Sequence, residues 1–253
     1  MDFGLDRRTV LVTGATGGIG SAVARAFAAE GARVALGYAQ DAEAADALAE
    51  ELGAKHDDAM AVRYRIGEDG SAEAAVAAVQ ERWGGVDVLV AGAMMPGGLR
   101  PPGIHFEELS PEQWAGFVTD NTRHTLRTVQ LVLPSMRRAG WGRIVLLSSV
   151  VARLGKPGRE FYGTVKSGLA GLVSSLVWDL SGSGVLVNLV SPGLTLTPKT
   201  AAMLPAARRT EEESLTPTGR LSTPEDIASA VLFLGSGTNG NITGQELAVT
   251  GGR

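Results

Sequence analysis

A chain of 253 residues with 44% apolar side chains and a mean hydropathy of +0.10 has ample material for one large buried core or two small ones. Its net charge of −4, with nineteen arginines spread along the chain, provides no basic field for nucleic acid or an anionic membrane. The absence of cysteine excludes disulfides, iron–sulfur clusters and thiolate chemistry, and with neither an apolar leader nor a run of membrane-spanning length the expected location is cytoplasmic.

Thr9 to Thr13 is a β-branched run that feeds into Gly14-Ala15-Thr16-Gly17-Gly18-Ile19-Gly20, after which Ile19, Val23 and Phe27 recur at helical spacing. This pattern predicts strand, glycine turn and helix. Gly14 and Gly18 suit a tight turn with close backbone approach, Gly20 lets the helix lie against the strand, and N–H groups at the helix start attract a pyrophosphate. A plain βα turn would use similar glycines, but the flanking strand and helix are the context that a dinucleotide site requires. The alternation continues with strands at 33–38, 60–65 and 86–91 and helices at 41–52 and 71–82. A long helix is expected over 111–138, capped by Ser110 with Pro111 in its first turn and ended or bent by Pro134. Then come a strand at 142–148, a helix at 161–180 and a strand at 185–190. A Pro-rich segment over 191–223 precedes a helix opening at Thr223-Pro224-Glu225-Asp226, and a last strand covers 245–249. With no repeat or linker, this is an α/β chain with a single Rossmann domain over 1–253, its doubly wound parallel sheet of about seven strands covered by helices on both faces.

The chemistry concentrates between Ser149 and Lys166. The apolar run Ile144-Val145-Leu146-Leu147 ends in Ser148-Ser149, at the edge where parallel sheets place their reactive groups. Tyr162 follows Ser149 by thirteen residues and precedes Lys166 by four, so tyrosine and lysine share a helix face. A phenol with an ordinary pKa of about 10 is a poor acid near neutrality, but a fixed ammonium within a few ångströms favours the phenolate and makes proton exchange feasible. A half-buried helix tyrosine beside a solvated lysine would show the same spacing. There is no Gly-x-Ser-x-Gly elbow, no paired-carboxylate arrangement and no metal-ligand cluster among the three histidines, so hydrolase and metal readings have no support.

Further motifs stand in order around these: Asn121, twenty-eight residues before Ser149; Asn188-Leu-Val-Ser-Pro192-Gly193 with Thr197; Pro224-Glu-Asp226; and Thr243-Gly244-Gln245 through Gly251-Gly252. Together with Thr13-Gly-x-x-x-Gly-Ile-Gly20 they make the sequence resemble the short-chain dehydrogenase/reductase family over nearly its whole length, most closely the ketoreductases of β-ketoacyl thioesters and polyketides. The resemblance implies that Tyr162 gives a proton to a carbonyl oxygen as hydride arrives from a reduced nicotinamide. Ser149 would hydrogen-bond that oxygen, and Lys166 would hold the ribose hydroxyls. Asn121 would support a water-linked proton path, a role compatible with bracing a helix kink. It also implies a cofactor cradle of Gly14, Thr16, Gly17, Gly18, Ile19 and Gly20, with Ala91, Gly92 and Ala93 beside it. Pro192, Gly193, Thr195 and Thr197 would meet the carboxamide, although a threonine making a local loop turn would look the same.

Three departures stand out. Ala91-Gly92-Ala93-Met94 replaces the family's Asn-Asn-Ala-Gly and loses amides that brace the strand. Arg65, followed by Ile66, stands where an aspartate usually meets the adenine; it either stacks there or marks a solvated strand end. The region around Asn121 is unusually polar, and His124 is assigned no role. At the end of strand two, NAD-preferring members carry an acid, whereas here stands Tyr38, with no acid before Asp41 and with Arg33 and Arg65 as the nearest cations. The expected cofactor is NADPH, with NADH usable. The expected substrate is a small carbonyl compound, free or carrier-bound, reduced by a homotetramer or homodimer joined through helices 111–138 and 161–180, with segment 194–221 as a mobile substrate flap. The alternatives are an NAD-dependent secondary-alcohol dehydrogenase for a sterol or sugar, and a non-catalytic dinucleotide sensor.

Overall fold

The computed structural model describes residues 2–53 and 58–253. Strands β1 (Thr9–Thr13), β2 (Arg33–Tyr38), β3 (Ala59–Arg63), β4 (Val88–Ala91), β5 (Gly142–Leu147), β6 (Val185–Pro192) and β7 (Glu246–Val249) form one parallel sheet in the order β3-β2-β1-β4-β5-β6-β7. The order reverses between β1 and β4, which opens a crevice outside the carboxyl ends of the strands. The helices are α1 (Gly18–Ala29), α2 (Ala42–Gly53), α3 (Ser71–Trp83), α4 (Ala115–Ala139), α5 (Val151–Leu154), α6 (Glu160–Asp179), α7 (Pro198–Met203), α8 (Ala206–Ser214) and α9 (Pro224–Leu234).

Both faces of the sheet are buried, so alternate strand residues feed different cores. Val10, Val12, Val34, Leu36, Val88, Val90, Val145 and Leu147 pack with α1, α2 and α9. Their neighbours Leu11, Ala35, Leu89, Ile144, Leu146 and Leu189 pack with α3, α4 and α6. A third, smaller cluster joins Phe117, Phe161 and Val165 to Met94, Met95, Trp114 and Tyr162, above the sheet at the crevice.

Several boundaries differ from the sequence expectation for physical reasons. The 111–138 helix is two pieces: a 3₁₀ turn over Pro111–Gln113 is broken at Trp114, whose ring stacks on Phe161 at 5.3 Å, and α4 starts after it. Pro134 neither ends nor stops α4, which runs on to Ala139. Pro134 and Gln130, whose carbonyl loses its donor to the proline ring, are both exposed, so the break lies on the solvent side of the helix. The third strand ends at Arg63, which leaves Arg65 and Ile66 beyond it. The 191–223 segment is not a structureless loop: β6 extends through Pro192, and α7 and α8 follow. Its ends are pinned where Leu196 N–H donates to Ser222 O at 2.8 Å.

Arg143 is an internal fastener. Its guanidinium, 5% exposed, donates to the carbonyls of Gly142 (2.8 Å), Gly184 (3.2 Å), Ser236 (3.2 Å) and Asn239 (2.8 Å), and lies 4.5 Å from the Trp141 ring centroid. Burial, and then the charge of Arg8, pushes its pKa down to about 10, which still leaves it charged at neutral pH. Among the described residues no helix is long and apolar enough to cross a membrane, and no group of three or more His, Cys, Asp or Glu could hold a metal ion.

Candidate active site

The end of β5 organises the site. Lys166, 6% exposed, donates from Nζ to Leu147 O at 2.6 Å, and Ser148 Oγ donates to Lys166 O at 3.2 Å. These two bonds dock one turn of α6 on the last residues of β5. Ser149, 9% exposed, accepts Val151 N–H at 3.3 Å, which fixes its hydroxyl at the start of α5. Tyr162 is half-buried, with Lys166 Nζ 6.0 Å and the Arg159 guanidinium 5.9 Å from its ring centroid. Burial alone pulls the Lys166 pKa down to about 8, from an ordinary 10.5. A cation held this deep is costly unless something negative or a proton acceptor is meant to meet it.

The glycine turn lies at the end of β1. Gly14 has φ +76°, and its N–H and that of Ala15 both donate to Gly37 O at 2.9 Å, which ties the turn to β2. No side chain caps α1, so its first N–H groups suit an anion. A Cβ on Gly20 would stand 2.2 Å from Gly14 O, so only glycine allows the helix to begin so close to the strand. If the turn holds a nicotinamide dinucleotide, Gly20→Ala is expected to weaken its binding by about tenfold or more and to lower Tm. Fluorescence titration checks this, and an unchanged Kd would show that the turn does not meet the cofactor. Thr13 ties the segment after β4 to β1: its Oγ1 accepts Gly92 N–H at 3.1 Å and Ala93 N–H at 3.2 Å.

Both regions open into one cleft of about 760 Å³. Of the expected site residues, Gly14, Gly17, Gly18, Ile19, Gly20, Gly92, Ser149, Tyr162, Lys166, Pro192, Gly193, Thr195 and Thr197 line it. Thr16, Tyr38, Arg65, Ile66, Ala91, Ala93 and Asn121 stand outside this lining. Asn121 is 1% exposed; its Oδ1 accepts Met95 N–H at 2.9 Å and its Nδ2 donates to Phe117 O at 2.7 Å, so its side chain braces α4 against the segment after β4. His124 likewise spans two carbonyls, Asp120 O at 3.0 Å and Glu68 O at 3.2 Å.

The cation assignment beside Tyr38 needs correction. Arg33 starts β2, at the end of the strand away from the cleft, and faces Trp83. The register instead pairs Tyr38 with Arg63, whose guanidinium meets Glu68 at 2.6 Å. Sequence reasoning also missed Lys156, Arg159, Arg208, Glu212 and Arg253, all of which line the cleft. Apart from Arg208 and Glu212, which are four residues apart on α8, no local pattern links them, because three separate segments supply the five.

A family model described as enoyl-(acyl carrier protein) reductase matches residues 14–253. The 3-oxoacyl-[acyl-carrier-protein] reductase FabG of Staphylococcus aureus is 34% identical over 247 residues, covering 97% of each chain. D-threitol dehydrogenase of Mycolicibacterium smegmatis is 36% identical over 251 residues, covering 99% of this chain and 94% of the relative. The crystal structure of 3-ketoacyl-(acyl-carrier-protein) reductase from Brucella melitensis complexed with NADH has a TM-score of 0.87 at 29% identity, over 98% of this chain and 99% of that one. With a full-length match in sequence, the same seven-stranded parallel sheet and a serine, tyrosine and lysine gathered at the end of β5, the chain belongs to the short-chain dehydrogenase/reductase family of oxidoreductases acting on CH–OH and C=O groups.

Proposed function

We propose that the protein is an NADPH-dependent reductase that converts a ketone, of the β-ketoacyl or polyketide kind, into a secondary alcohol. The observation that carries this reading is the buried Lys166 beside Tyr162 and Ser149, in a cleft that also contains the glycine turn. A bound nicotinamide dinucleotide would supply the hydride. Tyr162 gives its phenolic proton to the carbonyl oxygen, and Ser149 Oγ hydrogen-bonds that oxygen as it becomes negative. Lys166 offers its ammonium to the ribose hydroxyls and renews the tyrosine proton. Asn121 acts at a distance, holding the segment after β4 in place through Met95. Pro192, Gly193, Thr195 and Thr197 frame the carboxamide, and the turn from Gly14 to Gly20 cradles the pyrophosphate.

The absence of an acid at Tyr38 supports NADPH over NADH by about tenfold in kcat/KM, or about 1.4 kcal/mol, while Arg63, in register beside it, is held by Glu68. Segment 194–221 works as a flap over the substrate, and a homotetramer or homodimer forms through α4 and α6. The relative named D-threitol dehydrogenase keeps one rival in view, an alcohol dehydrogenase running in the oxidative direction. Nicotinamide absorbance followed with acetoacetyl and crotonyl thioesters and with a polyol separates these cases. Reduction of the acetoacetyl thioester with NADPH preferred is the expected result. Turnover only of the crotonyl thioester or only of the polyol, or a clear preference for NADH, would overturn the corresponding part.

A further inference from the structure

The cleft carries a charge that the chain as a whole does not. Five cationic side chains line it, Lys156, Arg159, Lys166, Arg208 and Arg253, against one acidic side chain, Glu212, in a chain whose net charge is −4. Lys166 belongs to the proton chemistry. The others come from two walls: Lys156 and Arg159 from the segment that enters α6, Arg208 and Arg253 from the flap and from the stretch after β7.

The second wall is specifically built. Glu212, 7% exposed, divides its carboxylate: Oε1 meets Arg208 Nη2 at 2.9 Å and Oε2 meets Arg253 Nη1. Arg208 also reaches the exposed Glu211 at 2.8 Å, so it is already heavily engaged. Arg253 is turned back onto Glu212 by Gly251 and Gly252, at φ +69° and +99°, where L side chains are strained. A Cβ on Gly251 would stand 2.5 Å from Thr218 Oγ1 and 2.6 Å from Thr216 Cγ2, and Gly251 O accepts Thr218 N–H at 3.1 Å. The guanidinium fork of Arg253 has five donors, more than one carboxylate oxygen can use, and its planar edge matches a second carboxylate.

Its position favours the substrate over the cofactor. Arg253 follows β7, which lies four strands from β1 and its glycine turn, or about 19 Å at the usual strand spacing. β5, which leads into Ser149, lies between them. The glycine turn after β1 and the stretch after β7 that ends in Arg253 therefore lie on opposite sides of β5, and α8 brings Arg208 to Arg253 through Glu212.

We propose that the substrate of this enzyme is a keto acid, and that Arg253, supported by Arg208 and held ready by Glu212, binds its carboxylate. This rests on the ketone-reductase reading and narrows it: the acetoacetyl thioester is reduced, but a β-keto compound with a free carboxylate is the better substrate. The proposal also gives Glu212 an opposing role, since it competes with the substrate for Arg253.

Two measurements test it. In the first, kcat/KM is compared for acetoacetate, methyl acetoacetate and the neutral N-acetylcysteamine thioester of acetoacetate. The acid is expected to lead the ester by about tenfold, and Arg253→Gln or Arg208→Gln to erase that ratio, mainly through KM. In the second, malonate is added to the cofactor-free protein against chloride at matched ionic strength. Malonate should raise Tm in the native chain, fail to do so in Arg253→Gln, and act more strongly in Glu212→Gln. Neutral substrates used as well as the acid, a malonate response weakened in Glu212→Gln, or an NADPH affinity that falls as much as the acid's in Arg253→Gln, would each overturn the proposal. If no ketone is reduced at all, the reductase reading fails while the malonate response still reports on the anion site.

Discussion

Tyr162→Phe is expected to lower kcat/KM for ketone reduction by about 10²-fold or more, a loss of about 2.7 kcal/mol or more in transition-state stabilisation, with NADPH binding retained. The phenyl ring keeps its place in the cluster with Phe161 and Phe117, so the change removes a proton and little packing. Stopped-flow transfer with saturating NADPH isolates the chemical step, and near-native turnover would remove Tyr162 from the proposed mechanism. The pH profile gives an independent check through Lys166. Its ammonium is intact below pH about 8 and lost above it, so kcat/KM should decline as pH rises through that value. Stability should move the other way. A lysine whose folded pKa lies below its unfolded value of 10.5 binds fewer protons when folded, so the cost of burying its charge is relieved between pH about 8 and 10.5. Activity and lysine-linked stability rising together over that window would contradict the placement of Lys166.

Arg143→Leu is expected to cost about 3–5 kcal/mol, because it strands the buried carbonyls of Gly142, Ser236 and Asn239 and gives up the bond to the exposed Gly184. Those four carbonyls belong to β5, the turn before β6 and the segment after α9, so one side chain fastens three parts of the chain behind the sheet. Arg143→Lys should recover only a fraction, since one ammonium has three donors at a single point and cannot reproduce a planar fork. Urea denaturation measures both, and a loss below about 1 kcal/mol for the leucine variant would show that solvent reaches the carbonyls. Neither change touches the cleft, so kcat in the folded fraction should remain.

Local pattern was enough for much of the architecture. Each strand is a run of apolar or β-branched residues, and the seven expected strands correspond to the seven formed, with ends shifted by a few residues. Where a boundary was misplaced, a tertiary contact decided it. Trp114 leaves helical geometry and stacks on Phe161, and α4 tolerates Pro134 because the break lies on the solvent side of the helix. The expectation of a loop over 191–223 weighed its prolines as breakers. In the structure Pro198 occupies the first turn of α7 after a Thr197 cap, a position that suits proline.

The sequence by itself determined the parallel α/β class, the glycine turn and the grouping of Ser149, Tyr162 and Lys166, since each depends on spacing within one strand–helix unit. Only the tertiary structure decided which cations stand together. Arg63 rather than Arg33 adjoins Tyr38 because strand register sets that neighbour. Arg208 meets Glu212 through i,i+4 spacing on α8, but Arg253 reaches the same carboxylate only because the chain after β7 returns beside that helix. Such pairs join residues tens of positions apart, and periodicity has no reach over that distance: it fixes which face a side chain takes, while strand order and register choose what it meets.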